Sequence, residues 1–461
     1  MIEGFYGPPW THEARTHVIE FLARRGMNAY VYAPKDDPKH RERWRDPYDA
    51  AELREFAALA ACCERTSTQL GFAISPGLDI DYARSADRAA LLGKIDPMLD
   101  AGISWIVLAV DDIPNREGLA AEQVALTSWL VDRVATRRDD VRWSLVPTEY
   151  VGTRPSAYLR TLATGLPDDV DVFWTGPTVC SPTITATDAR AWRDAIGGRP
   201  LLLWDNYPVN DAVMQRELHL GPYRGRDNDL TDAIDGVLCN PMLQARASLV
   251  ALATAAEYLE DPVAYRESDA WERAIADVGG SRAPALRAVA RACCDGPLAD
   301  VSELPAHRLL DDLARIPTAP PAISALRHEL DELRAADDAF ADDCVLGVEL
   351  APWLAQARRE ADAGLAALRL LELLPSDEAT DEPRDAERLM IHSFVLLFAW
   401  AAARDAPPRV VLGPRFAMHP AVVQLADGAP ALDVALAVRE DQSVVDRLAR
   451  LALDTYARSI S

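Results

Sequence analysis

Short apolar runs alternate with amphipathic helical stretches through the first half of the chain. The apolar runs, each of a length typical of a β-strand, lie at residues 2–6, 28–33, 71–74, 103–110, 141–146, 170–174, 201–204 and 236–239. Between the first two runs, Thr11 is a candidate helix N-cap, Val18 and Leu22 fall on one helical face, and Gly26 ends the pattern. Strand–helix alternation repeated about eight times predicts a parallel barrel. On periodicity alone six to nine units fit nearly as well, and an open doubly wound sheet is the alternative.

Polar or aromatic residues follow almost every apolar run, and they favour the barrel. The clusters are Gly4–Tyr6, Lys35–Asp37, Asp79 with Asp81, Asp111 with Asp112, Thr148–Tyr150, Trp174 with Thr175, Trp204–Asn206, and Asn240. In a barrel the carboxyl ends of the strands converge on one mouth, whereas an open sheet gathers functional residues mainly where the strand order reverses. Only the barrel brings all the clusters together, so we predict an α/β fold with a (β/α)8 barrel over residues 1–245.

The pattern changes after Asn240 and Pro241. A helical stretch covers about 243–259, and strand-like runs then largely disappear. Segments rich in alanine, leucine, arginine and glutamate lie at 270–278, 285–294, 322–340, 353–374, 386–404 and 444–459, with proline-containing breaks between them. A length of 461 residues exceeds what one hydrophobic core usually supports. We therefore predict a second, all-α domain, a helical bundle over residues 246–461.

Charge and hydropathy narrow the classes of partner. The formal net charge is −24 and the isoelectric point is near 4.7, so the chain repels polyphosphate and anionic membranes. The longest apolar run, 389–403, is interrupted by His392 and Ser393 and is shorter than the roughly 20 residues of a membrane span. Met1 is followed at once by Glu3 and an aromatic cluster, not by a signal peptide. We expect no nucleic-acid partner, no membrane partner and a cytoplasmic location, unless Met1 is a trimmed start.

The seven cysteines are scattered, odd in number and never spaced as C-x-x-C. This pattern fits neither a disulfide framework nor a structural zinc site, and it indicates buried free thiols. No metal site is predicted from it.

Asp111 and Asp112 follow the most strand-like run of the chain. One interpretation is a helix N-cap with an acidic first turn, because carboxylates stabilise that position. The other is glycoside cleavage, which requires an acid for the leaving oxygen and a group that stabilises positive charge at the anomeric carbon. With an N-acetyl sugar, the acetamido oxygen of the substrate can be the nucleophile. One carboxylate then orients the acetamido group and the other transfers the proton, which adjacent carboxylates tend to retain near neutral pH.

A series of segments resembles glycoside hydrolase family 84, which contains O-GlcNAcases and bacterial enzymes once named hyaluronidases. The matching segments, in order over roughly residues 1–245, are Glu3–Gly7 with Trp10, Tyr32–Asp37, Ser75–Ile80, Asp111–Ile113, Pro147–Tyr150, Trp174–Pro177, Trp204–Asn206, and Asn240 with Pro241. Any one of these pieces is a weak signal, whereas the ordered set is specific.

The resemblance implies a role for each matching residue. Asp111 would orient the acetamido N–H, Asp112 would be the general acid and base, and Tyr150 would donate to the acetamido oxygen. Sugar-binding residues would be Asn206, Lys35, Asp211, Asn240 and the carbonyl of Gly4, with Tyr6, Trp174 and Trp204 in the pocket wall. Aromatic core filling is the alternative for these last three residues. Cys180 would set the size of the acetamide pocket or be a small buried hydrophobe. Asp36 and Asp37 are interpreted as loop-ordering partners of Arg41, Arg43 or Arg45.

The function expected from this resemblance is a retaining exo-β-N-acetylglucosaminidase that works through an oxazoline-type intermediate, without a metal or organic cofactor. Its partner would be a glycoconjugate or glycoprotein that bears terminal GlcNAc, while the natural aglycone and a homodimeric state are left open. The alternatives are a non-hydrolytic GlcNAc-binding module, or a scaffold whose barrel is vestigial. The presence of Asp111, Asp112 and Tyr150 together disfavours the binding module. The scaffold alternative is left open.

Overall fold

The computed structural model describes residues 1–154, 156–293, 305–340, 344–374, 386–405, 407, 410–412, 416–424, 430–438 and 443–460. Eight strands form one parallel sheet whose spatial order is the order of the chain, in a nearly closed barrel. The strands are β1 Ile2–Glu3, β2 Ala29–Tyr32, β3 Gln69–Ile74, β4 Trp105–Ala109, β5 Arg142–Val146, β6 Val170–Trp174, β7 Leu201–Asp205 and β8 Gly236–Cys239. A doubly wound sheet would reverse its strand order, so the barrel prediction is confirmed.

Helices separate β1 to β7 and cover the outside of the barrel, as the alternation predicts, whereas the segment between β7 and β8, all of which the structure describes, contains only two short 3-10 helices, Ala212–Met214 and Leu230–Asp232. The α-helices are α1 His12–Ala23, α2 Ala50–Arg65, α3 Ser85–Asp100, α4 Leu119–Ala135, α5 Ala157–Gly165 and α6 Ala186–Ala195, with α7 Ala245–Glu260 after β8. The hydroxyl of Thr11 accepts a hydrogen bond from the Ala14 N–H at 3.2 Å, so Thr11 is the N-cap of α1.

The barrel interior is filled by alternate residues of the strands. Its core includes Ile2, Val31, Ala33, Ala73, Trp105, Val107, Ala109, Val146, Phe173, Leu202, Trp204 and Leu238. Successive side chains of a strand point to opposite faces, so residues two positions apart share the inward direction. The same alternation, extended past the carboxyl end of each strand, decides which of the following residues point toward the mouth of the barrel.

The first strand is shorter than predicted. The apolar run predicts a strand over residues 2–6, but β1 contains only Ile2 and Glu3. The chain leaves the sheet at Gly4, whose N–H donates to the side-chain oxygen of Asn240 at 3.1 Å. This bond joins the ends of β1 and β8, the first and last strands of the sheet order.

The chain forms two compact units, the first of which contains Met1–Gln215 and Pro222–Trp271, including α7. The second contains Arg216–Gly221 and the later helices from α9 onward. The helices after α7 are α8 Glu267–Gly279, α9 Ala283–Ala292, α10 Pro305–Arg315, α11 Pro320–Ala339, α12 Val345–Leu373, α13 Ala386–Asp405 and α14 Val444–Ile460. Within the second unit α12 packs against α11, α13 and α14. The predicted division at residues 245 and 246 stays a prediction.

Two further strands correct the prediction of an all-α second half. They are β9 Phe416–Gln424 and β10 Pro430–Val438, and they pair with each other. Both segments contain β-branched and alternating apolar residues, as strands do, in a stretch where no helical period was found.

The helix α13 has the length and apolar composition of a membrane span, and it is the one such helix in the part of the chain that the structure describes. Several of its large apolar side chains are exposed, among them Ile391, Phe394 and Phe398. Composition alone is weak evidence for a span, and the expected absence of a membrane partner stays a prediction.

Candidate active site

Four of the sequence-predicted site residues continue the inward-facing positions of their strands. Trp105, Val107 and Ala109 of β4 point into the barrel, and Asp111 lies two residues further along. The same step of two leads from Ala33 to Lys35, from Trp204 to Asn206 and from Leu238 to Asn240. The carboxyl ends of the strands therefore deliver these side chains to one mouth.

The two aspartates do not cap a helix. The next helix, α4, begins at Leu119 with Gly118 as its N-cap, well beyond Asp112. Asp112 has a φ of 54°, in the left-handed region that costs an L-residue roughly 1–2 kcal/mol. Such a conformation is retained where surrounding contacts determine it, and it is common at functional sites. The N-cap interpretation of the pair is therefore wrong.

Asp111 is buried and has one free acceptor. Its Oδ2 accepts a hydrogen bond from Lys35 Nζ at 2.5 Å, and both side chains are less than a tenth exposed. Its Oδ1 is buried and has no hydrogen-bond partner. Burial raises the pKa of Asp111 above its ordinary value, although Lys35 opposes the shift. A buried acceptor without a donor is rare in folded proteins, so Oδ1 is suited to accept a hydrogen bond from a ligand.

Asp112 lies between two phenols and is 28% exposed. Its Oδ1 accepts from the hydroxyl of Tyr150 at 2.8 Å, and its Oδ2 accepts from the hydroxyl of Tyr6 at 2.7 Å. Burial acts to raise the pKa of Asp112, but Lys35, 4.0 Å away, and the two phenols together hold it below the ordinary value. Burial and the negative charge of Asp112 raise the pKa of both phenols, which stay neutral donors.

Amide and indole groups form a connected network beside the carboxylates. Asn206 Oδ1 accepts from Trp204 Nε1 at 2.9 Å and from Asn240 Nδ2 at 3.0 Å. Asn206 Nδ2 donates to the carbonyl of Val179 at 2.8 Å, and Asn240 Oδ1 accepts from the Gly4 N–H. These bonds fix the ends of β1, β7 and β8 relative to one another.

Asp211 and Cys180 also lie at this cluster. Asp211 Oδ2 accepts from the backbone N–H of Tyr6 at 2.8 Å, and burial raises the pKa of its carboxyl. Cys180 is buried next to Val179, and burial raises the pKa of its thiol to about 12. Cys180 is therefore an uncharged thiol at neutral pH, not a nucleophile.

Family comparisons agree with this arrangement. Residues 1–291 match the sequence model of the family described as beta-N-acetylglucosaminidase. The chain belongs to this family. Membership confirms the resemblance to glycoside hydrolase family 84.

Relatives of this beta-N-acetylglucosaminidase family member are known from mammals and bacteria. It is 34% identical over 271 residues to the proteins named protein O-GlcNAcase of Rattus norvegicus and of Mus musculus, a match that covers 56% of this chain and 29% of each relative. A solved structure of an O-GlcNAc hydrolase variant from Thermobaculum terrenum is similar with a TM-score of 0.82 and 27% identity, over 100% of this chain and 94% of that one. The chain thus spans less than a third of the mammalian relatives' length.

One sequence-predicted residue of this family member lies apart from the cluster. Trp174 is fully buried, stacks on Trp192 with ring centroids 5.7 Å apart, and donates from Nε1 to the carbonyl of Gly152 at 2.9 Å. Its neighbour Phe173 has the inward parity of β6, so Trp174 faces the helices. Trp174 is therefore an aromatic core residue, which was the alternative to a place in the pocket wall.

The loop after β2 also differs from the prediction. Asp37 Oδ2 accepts from the hydroxyls of Tyr32 and Tyr48, and Asp36 Oδ2 accepts from the Gly7 N–H. Neither carboxylate is partnered by an arginine in these contacts. Arg41 instead reaches Tyr6 and Asp112, with its Nη1 at 2.5 Å from the phenol oxygen.

Arg45 pairs with Asp79 and Asp87, while Arg43 pairs with Asp46. The interpretation of Asp36 and Asp37 as partners of the loop arginines is therefore wrong. Arg41 is the site residue that the sequence did not reveal, because nothing in a loop without a regular period distinguishes it from the other two arginines.

Substitution of Gly4 tests the close packing of the network. A methyl group added at Gly4 would lie 2.2 Å from Cζ2 of Trp204, so the ring must move and its bond to Asn206 must lengthen. We expect Gly4→Ala to destabilise the protein by roughly 1–3 kcal/mol, as overpacking does, and to raise KM more than it lowers kcat. Denaturant unfolding and steady-state kinetics measure both effects.

Gly93→Ala is the matched control for that substitution. Gly93 lies within α3 and has open space where the methyl group would be added. Alanine is favoured over glycine within a helix by roughly 0.5–1 kcal/mol, so this variant is expected to be no less stable and fully active. Equal behaviour of the two variants would contradict the packing argument.

Proposed function

We propose that the chain is a retaining exo-β-N-acetylglucosaminidase that removes terminal β-linked GlcNAc by substrate-assisted catalysis. The observation that carries the proposal is the unequal environment of two adjacent carboxylates at the barrel mouth. Asp111 is buried with a free oxygen, whereas Asp112 is partly exposed between two phenols. One carboxylate is suited to hold a group of the substrate, and the other to exchange a proton with solvent.

The first step closes a ring within the substrate. The acetamido N–H donates to Asp111 Oδ1, and the hydroxyl of Tyr150 turns to the acetamido oxygen. That oxygen then attacks the anomeric carbon while Asp112 gives its proton to the departing glycosidic oxygen, which leaves an oxazoline-type intermediate. Lys35, which contacts Asp111, keeps that carboxylate in place as positive charge develops on the acetamido group.

The second step reverses the proton transfer. Asp112, now a carboxylate, accepts a proton from a water molecule that attacks the anomeric carbon from the side of the departed group. Two displacements at the same carbon retain the β configuration. Resemblance supports Asn206 as a contact of the acetamido end of the sugar, and Lys35, Asp211, Asn240 and the carbonyl of Gly4 as contacts of its ring hydroxyls.

The proposed substrate class is protein-linked O-GlcNAc. The support is the similarity to relatives that are named protein O-GlcNAcase and O-GlcNAc hydrolase. Turnover of an O-GlcNAc peptide, of chitobiose and of an aryl β-GlcNAc under the same conditions tests the choice. A higher kcat/KM for chitobiose than for the peptide would assign the enzyme to oligosaccharides.

The test of the activity itself is hydrolysis of an aryl β-GlcNAc in the presence of a metal chelator. We expect turnover, with the β-anomer of GlcNAc as the first product in the proton NMR spectrum. Absence of turnover by folded protein, with or without added divalent metal, would refute the proposed activity. Initial release of the α-anomer would refute the retaining mechanism.

Asp112→Asn tests the assignment of the acid. Protonation by a positioned acid contributes about 10²–10⁴-fold, and most of it to poor leaving groups. We expect kcat/KM for an alkyl or sugar leaving group to fall by about that factor, and kcat/KM for a strongly activated aryl group to fall far less. Equal losses along the series of leaving groups would show that Asp112 is not the acid.

A further inference from the structure

Arg41 touches the proposed acid and one of its two phenols. Arg41 is 8% exposed, and its Nη1 donates to the phenol oxygen of Tyr6 at 2.5 Å. The same nitrogen lies 3.6 Å from Asp112 Oδ2, and Nη2 donates to the backbone carbonyl of Asp112 at 3.5 Å. Arg41 therefore contacts both the side chain and the main chain of the loop that carries the acid.

This contact fixes the direction in which Tyr6 donates. A phenol has one hydrogen, and its oxygen here accepts from Arg41, which can only donate. The hydrogen of Tyr6 is thus directed to Asp112 Oδ2, 2.7 Å away. To accept from a protonated Oδ2 as well as from Arg41, the hydroxyl would have to turn its own hydrogen away from Asp112 and lose that acceptor.

The other oxygen of Asp112 has a partner that can leave. Tyr150 donates to Oδ1 at 2.8 Å, and in the proposed reaction its hydroxyl turns to the acetamido oxygen. The two phenols thus differ: one is held by Arg41, and the other is released by the substrate.

We propose that Arg41 is a positioning residue of the general acid, which holds Tyr6 as a permanent donor to Oδ2 of Asp112, so that the catalytic proton is carried on Oδ1. The inference rests on the proposed function. The proton comes from solvent, because the Asp112 side chain is 28% exposed. It enters Oδ1 when Tyr150 leaves, passes to the glycosidic oxygen as the bond to the anomeric carbon breaks, and is replaced by a proton of the attacking water.

The pH dependence of the reaction follows from the groups that face Asp112. These are the cations Lys35 and Arg41, the neutral phenols of Tyr6 and Tyr150, and the carboxyls of Asp111 and Asp211. Removing Arg41 deletes a positive charge and lets Tyr6 turn to accept, and both changes favour protonated Asp112. Since the first step needs the protonated form, activity is lost as the pH rises through this pKa, and a higher pKa moves the loss to higher pH.

Arg41→Met is the primary test. We expect the alkaline limb of kcat/KM against pH to move up by about one unit, as loss of a neighbouring opposite charge predicts. We expect kcat for poor leaving groups to fall about tenfold, because the proton is no longer confined to Oδ1, and kcat for an activated aryl group to change little. If the pH profile of Asp112→Asn on the activated substrate lacks the alkaline limb, the limb of the wild-type profile reports the titration of Asp112.

Three further variants make the test specific. Tyr6→Phe removes the bridging hydroxyl and is expected to move the limb in the same direction, with Arg41→Met adding less in that background than alone. Arg41→Lys retains a donor and a charge, so it is expected to return the limb toward the wild-type position. Arg43→Met removes the same charge from an exposed side chain two residues away and is expected to leave the profile unchanged.

The outcomes separate this inference from the proposed activity. An inactive wild-type enzyme refutes the activity. An active wild type with an Asp112-dependent limb that Arg41→Met leaves in place refutes the role of Arg41 alone. An Arg41→Met protein that loses thermal stability but keeps the wild-type profile and leaving-group dependence shows a structural role only, which also overturns the inference.

Discussion

Replacement of Asp111 by asparagine is expected to lower kcat/KM for an aryl β-GlcNAc by about 10²–10³-fold, the usual cost of one preorganised electrostatic contact. Asp111 Oδ2 binds Lys35, and its Oδ1 is free for the acetamido N–H. An asparagine has only one side-chain oxygen, so its NH2 group must face one of these two donors. The loss of kcat/KM is expected to come from slower ring closure by the acetamido oxygen, not from slower protonation of the leaving group.

Leaving-group dependence distinguishes this loss from that of the acid. For Asp111→Asn we expect similar losses with activated and poor leaving groups, whereas Asp112→Asn spares activated ones. Asp81→Asn is the control, because Asp81 also follows a strand but is exposed and accepts from the backbone N–H of Ala83. An Asp111→Asn enzyme that keeps near wild-type kcat/KM would remove Asp111 from the mechanism.

Loss of Asp205 is expected to have the largest effect on stability. Its carboxylate accepts from Tyr223 at 2.6 Å and from Arg226 Nε at 2.9 Å, and the side chains of Asp205 and Arg226 are each 1% exposed. Removal of one partner leaves a buried, uncompensated charge, which costs about 3–5 kcal/mol. We expect Asp205→Ala to lower the free energy of unfolding by that amount, measured by urea unfolding with fluorescence and circular dichroism.

An exposed ion pair of the same chemistry provides the comparison. Arg190 and Asp229 are 2.8 Å apart, and both side chains are about half exposed. Exposed pairs contribute little to stability because solvent screens them, so Asp229→Ala is expected to change the unfolding midpoint little. Similar unfolding midpoints for the two variants would contradict the importance of burial. Through its bonds to Tyr223 and Arg226, Asp205 also holds together the two ends of the segment 206–226, which contains Asp211. Because Asp211 is a proposed sugar contact, we expect a rise in KM together with the loss of stability.

The sequence by itself determined the alternation of strands and helices, and with it the barrel. It also placed Asp111, Lys35, Asn206 and Asn240 correctly, because residues just beyond parallel strands must meet at one mouth. These predictions depend on short-range patterns, which a single sequence contains. The expectation of a GlcNAc substrate depended on the ordered motifs rather than on any one pair of carboxylates.

The tertiary structure decided which way each strand faces. The residues of β6 and of β7 are all buried, and apart from Asp171 and the terminal Asp205 they are apolar, so neither strand has a sustained alternation of polar and apolar residues that would show which side faces inward. The sequence therefore did not show that the side chains of Trp174 and Trp204 point in different directions. Closure of the barrel turns Trp204 inward to the site and Trp174 outward onto Trp192.

Tertiary structure alone also decided the contacts around Asp112, the proposed acid. Tyr6 and Asp112 are separated by 106 positions, and Arg41 comes from a third loop. Their meeting depends on the paths of loops between rigid strand ends, which no local period encodes. The strand pattern and the ordered motifs therefore singled out the two carboxylates, whereas only the folded chain gave Asp111 a free oxygen and Asp112 two phenols and a guanidinium as neighbours.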